Sequence, residues 1–239
     1  MIYAIVGPTG VGKTKLSVML AKKLDAVIIN CDSMQIYKEM NIGTAKVTEE
    51  EKCGVEHLLF SYVSVDEEYN AFRYQTDARS LLDKFLSDGK NVVIVGGTGL
   101  YLKTLLYDYK FDNNEGKNNK LYDFKLIGLT RDRKILYENI DKRVDIMVKD
   151  GLLDEVKALY DKNIRTRAVM TAIGYKELYE YFDGFCSLED AIDKIKKSSR
   201  HYAKRQYTFF NHQFDNINWY NIDEISFDDI VLDILKASN

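Results

Sequence analysis

The chain has 239 residues, of which 46% are hydrophobic and 30% charged, with a formal net charge of −3. This is length for one domain or one and a half, with apolar residues enough for a full core, and no apolar run approaches the roughly 20 residues that span a membrane. The slight acidic balance argues against a protein that coats nucleic acid, although a local basic patch remains possible.

The apolar run Ile2–Val6 predicts a first strand, reached so early that no signal peptide is expected. The run Gly7-Pro8-Thr9-Gly10-Val11-Gly12-Lys13-Thr14 follows. A helical pattern then covers Lys13–Leu24, with Leu16, Met19, Leu20 and Leu24 on one face. This strand–loop–helix context is where G-x-x-x-x-G-K-[ST] acts as a phosphate cradle. Gly7, Gly10 and Gly12 can take backbone angles that let successive N–H groups converge on one anion. The helix adds the positive end of its dipole, Lys13 adds a point charge, and the Thr14 hydroxyl is placed to hold Mg²⁺.

Ala26–Asn30 predicts a second buried strand, ending at Cys31-Asp32-Ser33, and a short strand is expected within Val55–Val65. Asn70–Asp88 predicts a helix, with Phe72, Leu81, Leu82 and Phe85 near one face, and Asn91–Val95 a buried strand running into Gly97-Thr98-Gly99. Continuous β-branched strands alternating with helices predict an α/β fold of the P-loop NTPase type: a parallel sheet with helices on both faces. Lys110–Lys120, rich in Asn and Lys, reads as an exposed loop. Beyond it come a strand at Phe124–Leu129, helices at Arg131–Lys149, Leu152–Tyr160 and Leu188–Asn211, a short strand near Ile217–Tyr220, and a terminal helix at Ile225–Leu235. Residues 1–130 are thus expected to form the core, continued by C-terminal segments, and residues 131–239 a mainly helical part packed on it. Cys31, Cys53 and Cys186 lack ligand spacing and read as reduced thiols of a cytosolic protein; His57, His201 and His212 are scattered.

Ligands of open α/β sheets bind beyond the carboxyl ends of the strands. Asp32, with Ser33, Met34 and Gln35, and Thr98 are therefore expected to face the bound phosphates. Asp32 also fits a helix cap or a group placed near the metal, and Thr98 a turn hydroxyl that satisfies its own backbone. Phosphate-loop ATPases end a later strand in Asp or Glu to hold Mg²⁺ and organise water. Here that strand ends in Gly-Gly-Thr, which favours transfer chemistry, with diphosphate as a possible leaving group. The helix around Ser199–Phe210 interleaves bases and aromatics, a pattern of either nucleic-acid contact or packing on the core.

Six segments, in order, carry a wider resemblance: GPTGVGKT (7–14), INCDSMQIYKEMNIGTAK (29–46), GGTGLYLKTLL (96–106), IGLTRDRKILYENIDKRVDIMVKDGLLDEV (127–156), AIGYKELYEYFDG (172–184) and SRHYAKRQYTFF (199–210). The chain resembles the tRNA dimethylallyltransferase (isopentenylpyrophosphate transferase) family. That resemblance implies transfer of a dimethylallyl group from dimethylallyl diphosphate to N6 of the adenosine 3′ of the anticodon, with a tRNA anticodon stem-loop as partner and Mg²⁺ as cofactor. Gly7 to Thr14 would bind the diphosphate, Asp32 would accept from the adenine N6, and Ser33, Met34 and Gln35 would line the base pocket. Thr98 would meet the bridging oxygen, and Arg131, Arg133 and Arg205 would add diphosphate contacts. The expected setting is cytoplasmic and off the membrane; the sequence is silent on oligomeric state, and a monomer is the working expectation. The chain departs from the pattern where typical bacterial members carry a helical insertion that grips the anticodon stem: only Tyr107–Asp123 lies there. Prenyl transfer to free AMP, ADP or ATP, a small-molecule kinase using ATP, and a non-catalytic RNA-binding relic are the alternative readings.

Overall fold

The computed structural model describes residues 1–111 and 119–237. Among them the chain runs β1 (Ile2–Val6), α1 (Lys13–Leu24), β2 (Val27–Asn30), α2 (Glu49–Lys52), β3 (His57–Leu58), α3 (Ala71–Ser87), β4 (Val92–Val95), α4 (Gly99–Leu106), β5 (Phe124–Thr130), α5 (Arg133–Lys149), α6 (Leu152–Asp161), α7 (Arg167–Thr171), α8 (Tyr175–Phe182), α9 (Leu188–Gln213), β6 (Asn218–Asn221) and α10 (Phe227–Lys236). The six strands form one parallel sheet in the order β3-β2-β4-β1-β5-β6. The expected α/β architecture is the one observed.

Alternation along each strand divides the core in two. From β1, Ile2, Ala4 and Val6 enter one apolar cluster with Tyr74, Leu82, Leu102 and Leu105 of α3 and α4 and with Val156, Leu178 and Phe210 of the C-terminal helices. Tyr3 and Ile5 point the other way, to Leu16 and Leu20 of α1 and to Ile230, Val231 and Ile234 of α10. The C-terminal part is therefore shared between both faces, and β6 completes the sheet against β5.

Helix ends follow local chemistry. Asn70 caps α3 by accepting from the N–H groups of Phe72 and Arg73 at 3.1 and 3.0 Å, and Asp132 caps α5 through Lys134 and Ile135. Gly151 takes a left-handed conformation (φ 103°), so α6 starts as a separate helix rather than extending α5. Phe72 departs from the expected apolar face of α3. Buried positions there are Tyr74, Gln75, Ala78, Leu82 and Phe85, whereas Phe72 is 61% exposed and packs edge-on against Phe111. Nine residues at 100° each set Phe72 half a turn from Leu81. The helices at Gly99–Leu106 and Tyr175–Phe182 lie where no periodic run was drawn, because each is only two turns long. Of the expected loop Lys110–Lys120, residues 112–118 lie outside the described residues. Its flanks pair: Asp108 N–H donates to Asn119 O (2.9 Å) and Leu121 N–H to Leu106 O (2.9 Å).

Register places the polar strand ends together. Asn30 of β2 lies level with Val95 of β4, and Ile5 of β1 is also level with Val95. One step on, Cys31 N–H bonds Val95 O at 2.7 Å and Thr98 N–H bonds Cys31 O at 3.1 Å. Gly96 is held so closely that a Cβ there would stand 2.0 Å from Cys31 O. Asn30, fully buried, ties this corner with bonds to Asp32 N, Asp32 O and Leu59 O at 2.9, 3.0 and 2.9 Å. We expect Gly96→Ala to lower stability by about 1–3 kcal/mol in urea denaturation, since two backbones must separate. An unchanged midpoint would mean that the corner is plastic.

Candidate active site

The phosphate loop is built as its glycines require, with Gly7, Gly10 and Gly12 at φ of 141°, 80° and 92°. Lys13 folds back over it, donating to Gly7 O (3.0 Å) and Pro8 O (2.8 Å). Thr9 N–H donates to Gln206 Oε1 of α9 at 2.8 Å, and Gln206 Nε2 donates to Gly97 O at 3.0 Å. The buried Gln206 amide thus stitches the loop to the end of β4. Arg143 of α5 reaches over to Thr9 Oγ1 at 3.2 Å.

Two cavities open from this corner. A polar one is lined by the loop residues Thr9, Gly10, Gly12, Lys13 and Thr14 together with Gln35 and Gln206. A more apolar one is lined by Met34, Ala45, Ile140, Val144, Met147 and Ile195, among others. Thr9, Asp32, Thr44, Arg143 and Tyr202 line both. Asp32 Oδ1 accepts from Met34 N–H at 2.9 Å, an Asx turn; Oδ2 has no hydrogen-bond partner among the described residues.

The charged groups at the junction perturb one another. Burial pulls Lys13 down to about 8, Asp32 partly offsets this and Arg143 adds to it. Burial lowers Arg143 as well, against the opposing pull of Asp32 and Glu51. The polar cavity is thus lined by two cations, Lys13 and Arg143, and two carboxylates, Asp32 and Glu51. Burial, followed by the Asp32 charge, pushes the Tyr202 phenol up, so it stays neutral. Cys31 is buried beneath Asp32, and burial pushes its thiol up to about 12, which keeps it out of nucleophilic chemistry.

The structure brings together the residues from Gly7 to Thr14, Asp32, Ser33, Met34 and Gln35, with differences of detail. Ser33 and Met34 line the apolar cavity, whereas Gln35 lines the polar one and spends its amide on Thr44 O and Ala45 O at 3.0 and 3.2 Å. Thr98 sits behind Ser33: its hydroxyl accepts from Ser33 N–H (3.0 Å) and donates to Ser33 Oγ (3.2 Å). It therefore holds the Asp32-Ser33 corner in place. Arg131 lines neither cavity and pairs with Asp223 at 2.6 Å, and Arg133 lies over the Tyr137 ring on the outer face. Arg205 reaches the apolar cavity rather than the phosphate loop. Sequence reading passed over Arg143, Tyr202 and Gln206. Arg143 is the one basic residue of α5 aimed inward, and its position among charged neighbours on an amphipathic helix concealed it.

The donor set at the loop suits a hard cation held partly by a ligand. Thr14 offers a hydroxyl beside the phosphate space and Asp32 a carboxylate across it. Among the described residues no group of three or more His, Cys, Asp or Glu could hold a metal unaided. Mg²⁺ is commonly bound in this way, through few protein oxygens plus phosphates and water. Among the described residues, no helix is long and apolar enough to cross a membrane.

Comparison with known proteins follows the same lines. The IPP transferase family model matches residues 35–121 and 110–213, two segments that meet in the polar stretch after α4. The tRNA dimethylallyltransferase of Bacillus subtilis is 40% identical, with 92% of this chain and 90% of that protein covered. The aligned span is 285 residues, longer than this chain, so the relative carries residues with no counterpart here. The Anoxybacillus flavithermus tRNA dimethylallyltransferase is 38% identical over 98% of this chain and 94% of its own length. Among solved structures, a tRNA Δ(2)-isopentenylpyrophosphate transferase from Staphylococcus epidermidis superposes with TM-score 0.92 at 32% identity, covering 100% of this chain and 98% of that one. With the phosphate loop, the Asp32 corner and the two joined cavities in one place, the chain belongs to the IPP transferase family.

Proposed function

We infer that this chain is a prenyltransferase that moves a dimethylallyl group from dimethylallyl diphosphate to N6 of the adenosine 3′ of a tRNA anticodon. The observation that carries this reading is the junction of cavities. A phosphate cradle that holds Lys13 and an apolar pocket share a wall that contains a carboxylate whose Oδ2 has no hydrogen-bond partner among the described residues. The relatives' names favour a tRNA acceptor over free adenine nucleotide and over kinase chemistry, so those readings fall behind.

In this reading the diphosphate occupies the loop, with Lys13 and Arg143 as its cationic contacts, and the base enters the apolar cavity, past Arg205 at its rim. A base in an anticodon loop has to leave its stack to get there. The C1–O bond of the allylic ester breaks as the N6–C1 bond forms; diphosphate leaves and one N6 proton passes to Asp32 Oδ2. An exocyclic amine is a weak nucleophile, so a carboxylate that takes up its growing positive charge assists. The leaving diphosphate gains charge, and the preorganised loop N–H groups with Lys13 and Arg143 stabilise it most at the transition state. Thr14 would hold Mg²⁺ with the diphosphate, and the ion would supply further neutralisation of the leaving group. Thr98 acts on the site by fixing Ser33. The short Tyr107–Asp123 connection, a monomeric state and a cytoplasmic setting complete the proposal.

The test is a competition with labelled dimethylallyl diphosphate and Mg²⁺. One reaction holds an anticodon stem-loop with adenosine 3′ of the anticodon; the other holds AMP and ATP. Label is expected in the RNA alone, and label in the free nucleotide would overturn the acceptor assignment. Asp32→Ala should reduce turnover about a hundredfold or more while donor affinity changes little; near-normal turnover would remove Asp32 from the chemistry. Donor binding should also depend on pH in a defined direction. The donor's phosphates finish ionising near about 6, whereas Lys13 is protonated below about 8 and loses its charge above it. Donor Kd is therefore expected to be lowest near pH 7 and to rise several-fold by pH 9. A flat profile from titration calorimetry would mean that Lys13 keeps its charge or does not contact the donor.

A further inference from the structure

Glu155, on α6, lines neither cavity, yet its carboxylate is committed to the wall of the apolar one. Oε2 accepts from the N–H groups of Asn41 and Ile42, each at 2.9 Å, and Oε1 accepts from Gly43 N–H at 3.1 Å. The Tyr175 hydroxyl, at the start of α8, donates to the same Oε1. Three successive N–H groups converging on one anion make a nest of the kind that usually captures a ligand. Here the captured anion belongs to the protein.

What the carboxylate holds is a segment with no regular structure. Beyond it, Gly43, Thr44 and Ala45 form part of the apolar cavity, opposite Asp32 and Met34. The approach is tight, because a Cβ at Gly43 would stand 2.5 Å from the Tyr175 ring. Ala45 is held at φ 47°, a left-handed conformation that a side-chain-bearing residue keeps only under outside constraint. The far side of the segment is fixed by Gln35, through Thr44 O and Ala45 O. Glu155 at the entry and Gln35 at the exit therefore define where the wall stands.

We propose that Glu155 is a positioning residue for the acceptor base, setting the Gly43–Ala45 wall against which the base packs beside Asp32. This rests on the assignment of the apolar cavity to the base. The phosphate-loop N–H groups and Lys13 are not among its partners, and Gly43, the cavity residue it bonds, lines the apolar cavity alone, so its effect falls on the acceptor more than on the donor. Glu155→Gln keeps one accepting oxygen and presents an amide N–H₂ to the other donors. Its effect should fall between those of wild type and Glu155→Ala.

The experiment measures KM and kcat for an anticodon stem-loop and for dimethylallyl diphosphate, with the melting temperature of each variant. Glu155→Ala is expected to raise acceptor KM about tenfold or more, with Glu155→Gln intermediate and donor KM within about twofold of wild type. Unchanged acceptor KM in a folded variant would overturn the proposal, as would equal rises in both KM values or a fall in kcat alone. If Glu155→Ala does not fold, Glu155→Gln and Tyr175→Phe are judged by the same split. The wild-type reaction is read first: absence of transfer to RNA there removes the functional reading itself, and this proposal with it. Transfer in wild type with an unmoved KM in the variants removes the proposal alone.

Discussion

The contact between Cys31 and Gly96 is the constraint on which the site depends. Parallel strands normally splay their connections outward, yet here two backbones pass within a distance that no side chain could share. The reward is alignment. Asp32, Gly97 and the phosphate loop emerge from adjacent strands two residues past the same row of the sheet. From that row a carboxylate, a cradle of N–H groups and the Gln206 bridge need only short side chains to meet.

The chemistry then divides by polarity. Backbone donors, Lys13 and Arg143 crowd one side of the shared wall, and aliphatic side chains crowd the other. In the proposed reading the diphosphate takes the polar side and the acceptor base the apolar side, so the bond exchange falls at the boundary. Asp32 stands on that boundary, where the proposed reading gives it the part of proton acceptor. Lys13, buried and already losing its charge near 8, is strengthened by the arrival of an anion, so the loop is most cationic when it is occupied.

Much of this was legible in the sequence, because the signals were local. A glycine-rich loop between a β-branched run and an amphipathic helix has one dominant reading, and strand ends in a parallel sheet converge by rule. The long helices and buried strands declared themselves through periodicity, with ends shifted by a residue or two. What was not legible depended on direction. Arg131 and Arg133 sit nearest to a strand end in sequence, but the turn into α5 sends them outward, to Asp223 and Tyr137, while Arg143, three turns on, points back. Gln206 looked like one polar residue in a basic helix, and its role emerges only when α9 is laid across the loop. Glu155 was one carboxylate among several on an amphipathic helix; its backbone partners lie more than a hundred residues earlier. Phe72 was misplaced because apolar identity was weighed ahead of angular position.

The placement of the last two elements has a consequence for synthesis. β1, the phosphate loop and α1 come early in this sequence, but their outer cover is α10, whose Phe227 ring stands against Gly12. The edge of β5 finds its partner in β6, about ninety residues later in the chain. Until residues 218–236 emerge, a nascent chain carries an unpaired strand edge and an uncovered apolar face. The phosphate loop also lacks its Gln206 tether until α9 is complete. The tethered binding loop and the finished sheet are therefore completed together, once α9, β6 and α10 are in place.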